Sequence, residues 1–302
     1  MEKILIIRHG AFGDLVQCDG ALRDIRAHHP DAEITMLTGP AFRKLMSRCP
    51  HIDHLMFDAR APYWQFSVIW RLFRELRAAG FDRVYDLQKS DRTQLYRRLI
   101  LPQVPWFGHK PAKPDRTALI GFANLLESAG VSRHHTFAPD VSWMAESVDA
   151  LLAEAGVRKP YVALIPGCSA KHPQKRWPFY AELARGLLDA GLDVVTAPGP
   201  DELDLARSIP GHVLLGPNGW LNWFELAGVL KSAAFVVGND TGPSHVASCM
   251  NVSGLALFGA HTSAERTGIR KAHFNPIEVA DLAQLPADRV LREVLARMGS
   301  TS

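Results

Sequence analysis

The segment Gly238–His245, with the sequence GNDTGPSH, constrains the fold of this chain more than any other stretch. It follows the apolar run Phe235–Val237, which predicts a buried strand, and it precedes Val246–Met250, which predicts the start of a helix. In a strand, tight turn and helix of this kind, free backbone N–H groups point at an anion. The segment therefore predicts an α/β unit with an anion-binding turn.

The side chains of this turn indicate which chemical groups accompany the anion in a ligand. Thr241 or Ser244 can cap the helix, and Gly242 permits close approach of the backbone to a ligand. Asp240 and His245 add two groups that can hydrogen-bond a sugar or a ribose. The alternative is an ordinary strand-to-helix turn with good capping, and the rest of the chain has to decide between the two.

Strand and helix patterns alternate twice along the 302 residues. The predicted strands are Ile4–Ile7, Glu33–Leu37, His54–Phe57 and Arg83–Leu87 in the first series, and Tyr161–Ile165, Asp193–Ala197, Val213–Leu215, Phe235–Val237 and Ser253–Phe258 in the second. The predicted helices between and after them include Leu15–Ala27, Met144–Ala155 and the amphipathic segment Pro286–Met298. Two such series predict an α/β protein with two doubly wound parallel sheets. We assign residues 1–150 and 151–302 to the two domains, and the last helix is able to pack back on the first.

Three polar loops with glycine follow strands of these sheets. They are His9–Asp14, Pro166–Arg176 and Gly238–His245. Ligands of open α/β sheets bind at the carboxyl ends of the strands. We therefore expect the three loops to line a cleft in which the two domains face each other.

The three loops together resemble one family, the ADP-heptose–lipopolysaccharide heptosyltransferases of glycosyltransferase family 9. Arg8–Asp14 resembles the amino-terminal Gly-Asp loop of that family, and Pro166–Pro178 is similar to its small-residue turn followed by Lys-x-Trp-Pro. Asn239–Ala247 matches its Asp-Thr-Gly-x-x-His-x-Ala signature. The resemblance implies the GT-B architecture of two Rossmann-like domains. It also implies an inverting, metal-independent transfer of a sugar, heptose in the family, from an ADP-sugar to a lipopolysaccharide core or similar glycan.

On the acceptor side, the resemblance implies that Asp14 is the catalytic base, within a loop that also contains His9 and Gly13. Inverting transfer needs a group that takes the proton of the acceptor hydroxyl. The alternative role of Asp14 is to cap the helix that follows Gly13.

On the donor side, the resemblance implies that Lys175 compensates the charge of the departing diphosphate, with Arg176 or Lys171 as helpers. The amides of Thr241 and Gly242 would hold the phosphates, and His245 would contact the diphosphate, hold the loop or be a buried core residue. The other expected donor-side residues are Ser169, Asn239, Asp240 for a sugar hydroxyl, and either Asp201 or Glu202 for the ribose. Trp177 is expected to be a packing residue.

Composition excludes several other classes. The net charge of +3, without a basic stripe interleaved with aromatic residues, does not favour nucleic acid as a partner. No Asp-x-Asp motif is present, and the scheme needs neither a metal ion nor a cofactor, because the ADP-sugar is a substrate. The four cysteines form no CxxC pair and the first apolar run is too short for a signal peptide, so we expect a cytoplasmic protein, or one that is peripheral on the inner membrane.

The role of two arginine clusters is open, and so are two alternative functions. The clusters at Arg71–Arg74 and Arg92–Arg98 are interpreted as solvated helix faces, with a polyanionic or membrane-surface ligand as the second interpretation. A nucleotide-sugar 2-epimerase would use the same architecture without an acceptor. A non-catalytic nucleotide-sugar-binding protein would have no need of a base at Asp14.

Overall fold

The computed structural model describes residues 1–62, 64–110, 115–169 and 171–299. The chain divides into two compact units, Met1–Pro139 and Asp140–Ser302. In the described part of the chain, no helix combines the length and the apolar character that crossing a bilayer requires.

The first unit is a parallel sheet flanked by helices. Its strands pair in the order β3-β2-β1-β4-β5. The strands are β1 Lys3–Ile7, β2 Glu33–Thr38, β3 His54–Phe57, β4 Arg83–Asp86 and β5 Trp106–Phe107. The helices are α1 Phe12–Gln17, α2 Asp19–His28, α3 Arg43–Met46, α4 Phe66–Ala78, α5 Asp91–Leu99 and α6 Ala118–Ser128. The continuous apolar run of β1 is buried, as expected for a central parallel strand covered on both faces.

The second unit repeats this plan with a larger sheet. Its strands pair in parallel in the order β11-β10-β9-β6-β7-β8. The strands are β6 Tyr161–Ile165, β7 Asp193–Thr196, β8 His212–Val213, β9 Phe235–Asn239, β10 Gly254–Phe258 and β11 Phe274–Glu278. The helices are α7 Asp149–Glu154, α8 Tyr180–Asp189, α9 Leu203–Arg207, α10 Trp223–Ser232, α11 Gly242–Cys249, α12 Ala264–Thr267 and α13 Ala287–Gly299.

The last helix packs within the second unit. Helix α13 packs on α8, and its Val290 and Val294 are buried in the core of this unit. The same core contains Trp177, which confirms the packing role expected for that residue. Burial of the apolar face of an amphipathic helix, here with Leu291 and Met298 beside the two valines, is the usual reason for such docking.

Two helices differ from their predicted limits. The helix predicted over Leu15–Ala27 begins at Phe12 and is interrupted at Cys18, which separates α1 from α2. Helix α2 is tied to a distant segment of the chain, because the Asp24 carboxylate accepts hydrogen bonds from the backbone of His135 and Thr136. The helix predicted over Met144–Ala155 is a 3₁₀ turn at Ser142–Met144 followed by the shorter α7.

Each sheet has one point at which the chain reverses its direction across the sheet. In the first unit it lies between β1 and β4, and in the second between β6 and β9. Ligands of open α/β sheets bind at the carboxyl ends of the strands at such a point. The loops that follow β1, β6 and β9 are the three loops singled out in the sequence.

Candidate active site

The loop after β1 is tied to the loop after β4. The Arg8 guanidinium donates a hydrogen bond to the Leu87 carbonyl over 2.8 Å, and the backbone N–H of His9 donates to Gln88 Oε1 over 3.0 Å. These contacts cross the reversal point of the first sheet. They hold the start of the His9–Asp14 loop in one position.

Asp14 lies at the third position of helix α1 and makes two contacts through its carboxylate. Its Oδ2 accepts the backbone N–H of Ala11 over 2.9 Å, and its Oδ1 lies 3.0 Å from Arg8 Nη2. Asp14 therefore does cap the helix, from inside the first turn, and Gly13 before it is helical too. The side chain is still 45% exposed, so the capping contact leaves the carboxylate accessible to a ligand.

Gly10 allows the loop to pass close to a neighbouring aromatic ring. Its φ is +119°, and a Cβ at this position would lie 2.4 Å from Phe42 Cε2. Both the backbone conformation and the contact demand glycine.

His9 is buried rather than presented to an acceptor. Its Nε2 lies 3.2 Å from Asp58 Oδ2, and that carboxylate also accepts hydrogen bonds from Arg92 and Tyr96. Burial lowers the pKa of His9 to about 4, although the Asp58 charge opposes this shift. His9 is therefore neutral at neutral pH, and its contacts suit it to hold the loop that carries Asp14.

We expect His9→Gln to flatten the pH dependence of stability. With a folded-state pKa of about 4 and an unfolded value near 6.5, the unfolded chain binds more protons between these values. The free energy of unfolding therefore falls as the pH drops, by about 2 kcal/mol at pH 5 from this residue alone. Glutamine does not titrate, so urea unfolding at pH 7, 6 and 5 should show a shallower decline in the variant. Equal declines in both proteins would contradict the burial argument.

In the second unit, Lys175 and Asp240 form an ion pair across the reversal point of the sheet. Lys175 follows β6 and Asp240 follows β9, and Lys175 Nζ lies 2.6 Å from Asp240 Oδ2. The same ammonium donates to the Asp240 carbonyl over 3.2 Å. The Lys175 side chain is 23% exposed while that of Asp240 is buried, so the ammonium is the more accessible partner. A lysine ammonium carries three hydrogens, and the third can serve an anionic oxygen of a ligand.

Two histidines complete the surroundings of Asp240. His245 Nε2 lies 3.5 Å from Asp240 Oδ1, and His261 Nε2 lies 3.8 Å from Oδ2. Burial by itself would raise the pKa of Asp240, but the hydrogen bonds and the charges of His245 and Lys175 together outweigh burial and lower the pKa. Burial, together with the nearby Lys175 charge, lowers the pKa of His261. Asp240 is thus an ionised, buried anion around which three basic side chains are arranged.

Asn239 anchors the loop after β6 to the end of β9. Its Oδ1 accepts hydrogen bonds from the Trp177 backbone N–H over 3.2 Å and the Tyr180 hydroxyl over 3.1 Å. Its Nδ2 donates to the carbonyls of Pro166 and Gly167 over 2.9 and 3.2 Å. The side chain is fully buried, and these four contacts use the hydrogen-bonding capacity of an amide. Asn239, expected to contact the donor, instead positions the loop.

The start of helix α11 differs from the capping predicted for it. Thr241 occupies the N-cap position but makes no side-chain cap bond, and the Ser244 hydroxyl donates to the Asn239 carbonyl over 2.6 Å. Pro243 brings no N–H group. The first turn therefore presents the N–H groups of Gly242 and Ser244, which helix geometry leaves without a partner inside the helix.

Of the two acidic residues after β7, Glu202 lies next to the predicted site. Its Oε2 accepts the Gly199 backbone N–H over 3.0 Å, and a Cβ on Gly167 would come within 1.9 Å of its Oε1. Glu202 thus packs directly against the loop after β6, whereas Asp201 is exposed. The remaining predicted residues of that loop, Ser169, Lys171 and Arg176, are exposed as well.

Three residues around these loops were not anticipated. Arg8 pairs with Asp14, Asp58 faces His9, and His261 lies beside Asp240. Each follows the carboxyl end of a strand: Arg8 follows β1, Asp58 follows β3 and His261 follows β10. Polar residues at strand ends were therefore the available signal.

Comparisons with known proteins converge on one group. The profile of glycosyltransferase family 9 (heptosyltransferase) matches residues 109–285. Lipopolysaccharide heptosyltransferase 2 of Escherichia coli is 25% identical in a match that covers 85% of this chain and 82% of that protein.

Solved structures agree with this match at the level of the fold. A glycosyltransferase family 9 structure from Veillonella parvula has a TM-score of 0.81 at 20% identity and covers 99% of this chain and 98% of its own. The E. coli heptosyltransferase WaaC with ADP has a TM-score of 0.74 at 18% identity and covers 98% of this chain and 99% of its own. The predicted GT-B fold class is confirmed.

Proposed function

Because this chain belongs to glycosyltransferase family 9, we propose that it transfers heptose from an ADP-sugar to a lipopolysaccharide core or similar glycan acceptor. The Lys175–Asp240 pair, at the reversal point of the second sheet, carries the proposal. It offers an accessible ammonium beside the first turn of helix α11. An ammonium and free N–H groups together suit the diphosphate of a nucleotide sugar. The ADP bound to the related WaaC supports adenine nucleotide as the donor class.

We assign the donor-side residues by their contacts. Lys175 compensates the charge that develops on the leaving ADP, and the N–H groups of Gly242 and Ser244 hold its phosphates. Glu202 is the better placed of the two acids to accept hydrogen bonds from the ribose, since it lies against the loop after β6. Asp240 and His245 keep Lys175 oriented, so Asp240 serves the donor chiefly through that lysine.

We assign the acceptor side to Asp14. Its accessible carboxylate takes the proton of the acceptor hydroxyl while the acceptor oxygen attacks the anomeric carbon. The bond from that carbon to the diphosphate breaks, and its electron pair leaves with ADP. Attack from the face opposite the leaving group inverts the configuration. Arg8 fixes the orientation of the carboxylate over 3.0 Å.

The two alternative functions, epimerase and non-catalytic binding protein, are less well supported than sugar transfer. An epimerase and a non-catalytic binding protein were compatible with the architecture alone. Membership of a glycosyltransferase family makes the protein a glycosyltransferase. The exposed carboxylate of Asp14 also fits a reaction that needs a base.

The proposal is tested by supplying donor and acceptor separately and together. We expect the full chain to release one ADP from ADP-heptose for each heptosyl unit gained by a heptose-deficient lipopolysaccharide core, as read by mass spectrometry. Omitting the acceptor should stop ADP release, and adding EDTA should leave the rate unchanged. Turnover of a UDP-sugar without any acceptor would contradict the proposal. A rate that collapses with EDTA would contradict its metal-independent form.

A further inference from the structure

Large apolar side chains are exposed around the start of helix α4. Trp64, Phe66 and Trp70 are 75%, 76% and 69% exposed, and Val68 among them is exposed as well. Single exposed apolar residues are normal on a protein surface, but Phe66 and Trp70 lie four positions apart on one side of the helix and form an exposed aromatic pair shortly after Trp64. These exposed aromatic side chains therefore indicate a binding surface.

Helix α4 has a second apolar side in addition to the one it buries. Leu72 and Leu76 are buried in the core of the first unit. Phe66, Trp70 and Arg77 recur at helical spacing on a different side, with Arg74 beside them. Phe73, which is partly buried against the same core, lies at the border between the two sides. We call Phe66, Trp70, Phe73, Arg74 and Arg77 the α4 face.

The α4 face borders a hollow with an apolar floor. The hollow has a volume of about 420 Å³. Phe73 and Trp70 line it from α4, and Leu99 and Ile100 line it from the end of α5. Leu99 is itself exposed. The hollow extends the apolar surface beyond the helix.

Arginines border this apolar surface, and others lie on the two helices that form it. Arg74 and Arg77 line the hollow, Arg71 lies on the same helix, and Arg97 and Arg98 lie in the last turn of α5. Helix α4 contains a single acidic residue. Aromatic and apolar groups bordered by arginines are the composition of helices that lie in the plane of a membrane surface. Arginine stems can cover apolar surface while their guanidinium groups reach lipid phosphates.

We propose that the α4 face binds the surface of an anionic bilayer. Phe66 and Trp70 enter the boundary between headgroups and acyl chains, and the arginines pair with lipid phosphates. An anionic bilayer suits this face better than a second copy of the chain, because two copies would bring like-charged arginine clusters together. The inference goes beyond the transfer reaction, since it depends on this surface alone.

Vesicle flotation with the full chain tests the proposal without donor or acceptor. We expect binding to vesicles of phosphatidylcholine with phosphatidylglycerol, weakening as salt rises, and little binding to pure phosphatidylcholine. Arg74→Ala with Arg77→Ala should lower the partition coefficient roughly thirtyfold, about fivefold for each arginine. Phe66→Ser with Trp70→Ala should lower it at least about tenfold.

A matched control uses an exposed tryptophan of the other unit. Trp220 is 43% exposed, and Trp220→Ala should leave vesicle binding unchanged. All these side chains are exposed, so the variants should melt within a few degrees of the wild type. Equal binding to neutral and anionic vesicles, or equal loss in the Trp220 variant, would overturn the proposal. Sedimentation that shows self-association abolished by Trp70→Ala would assign the face to a second copy. A failed transfer assay has no bearing on these results.

Discussion

Asp14→Asn should slow sugar transfer between about a hundredfold and ten-thousandfold, the contribution typical of a general base. Asparagine keeps the size of the side chain, and its oxygen can still accept the Ala11 N–H group that closes the first turn of α1. It cannot take a proton. Loss of the partly exposed ion pair with Arg8 should cost at most about 1 kcal/mol of stability. Turnover with saturating donor and acceptor, together with the donor Kd, measures the effect.

Asp53→Asn is the matched control for this change. Asp53 is 44% exposed, pairs with Arg26 and accepts a backbone N–H group from Ile34, so it repeats the local chemistry of Asp14 in the same unit. Its variant should transfer sugar at the wild-type rate. If Asp14→Asn is stable and also works at that rate, Asp14 only caps the helix and the base lies elsewhere. Loss of donor affinity along with stability would point to a structural role.

Lys175→Ala should slow transfer about a hundredfold to a thousandfold, because the charge on the leaving diphosphate loses its compensating ammonium. The affinity for ADP should fall as well, since the ammonium is accessible in the free protein. Titration calorimetry with ADP and single-turnover rates separate the two effects. A variant with unchanged rate and affinity would remove Lys175 from the site and make Arg176 the next candidate.

Lys175→Ala also leaves Asp240 buried with one partner fewer, so a fold defect has to be distinguished from a catalytic one. The double variant Lys175→Met with Asp240→Asn removes both charges and should restore stability while transfer stays slow. Lys159→Ala removes an exposed lysine that pairs with Asp149 over 3.0 Å, and it should leave transfer unchanged. Recovery of transfer in the double variant would show that the first defect was one of folding.

Most of the sheet framework could be predicted because the central strands are buried on both faces. Runs such as Ile4–Ile7 and Tyr161–Ile165 are continuously apolar, and glycines or prolines mark their ends. Strand β5 was missed, and helix α5 was indicated only by its arginine cluster at Arg92–Arg98. Strand β5 is only the pair Trp106–Phe107, and α5 is a strongly polar helix whose capping residue, Ser90, gives a weak signal.

The candidate site was predictable as a set of loops but not as a set of contacts. Strand ends bring the loops together, so Lys175 and Asp240 could be assigned to one edge of the sheet. Their ion pair joins residues 65 positions apart, and nothing in local periodicity reports a contact of that range. The anchoring contacts of Asn239 could not be predicted for a related reason. Its residue type fits a sugar ligand equally well, and only its burial identifies it as an anchor.

The anchoring by Asn239 bears on how this enzyme can change its substrate. Three of its four hydrogen bonds reach main-chain atoms, those of Pro166, Gly167 and Trp177. Almost any amino acid supplies such atoms, so the intervening loop side chains can be exchanged while its attachment points persist. Divergent members of a lineage, or a designed library spanning residues 169–174, could thus explore new donors from a scaffold that keeps its shape.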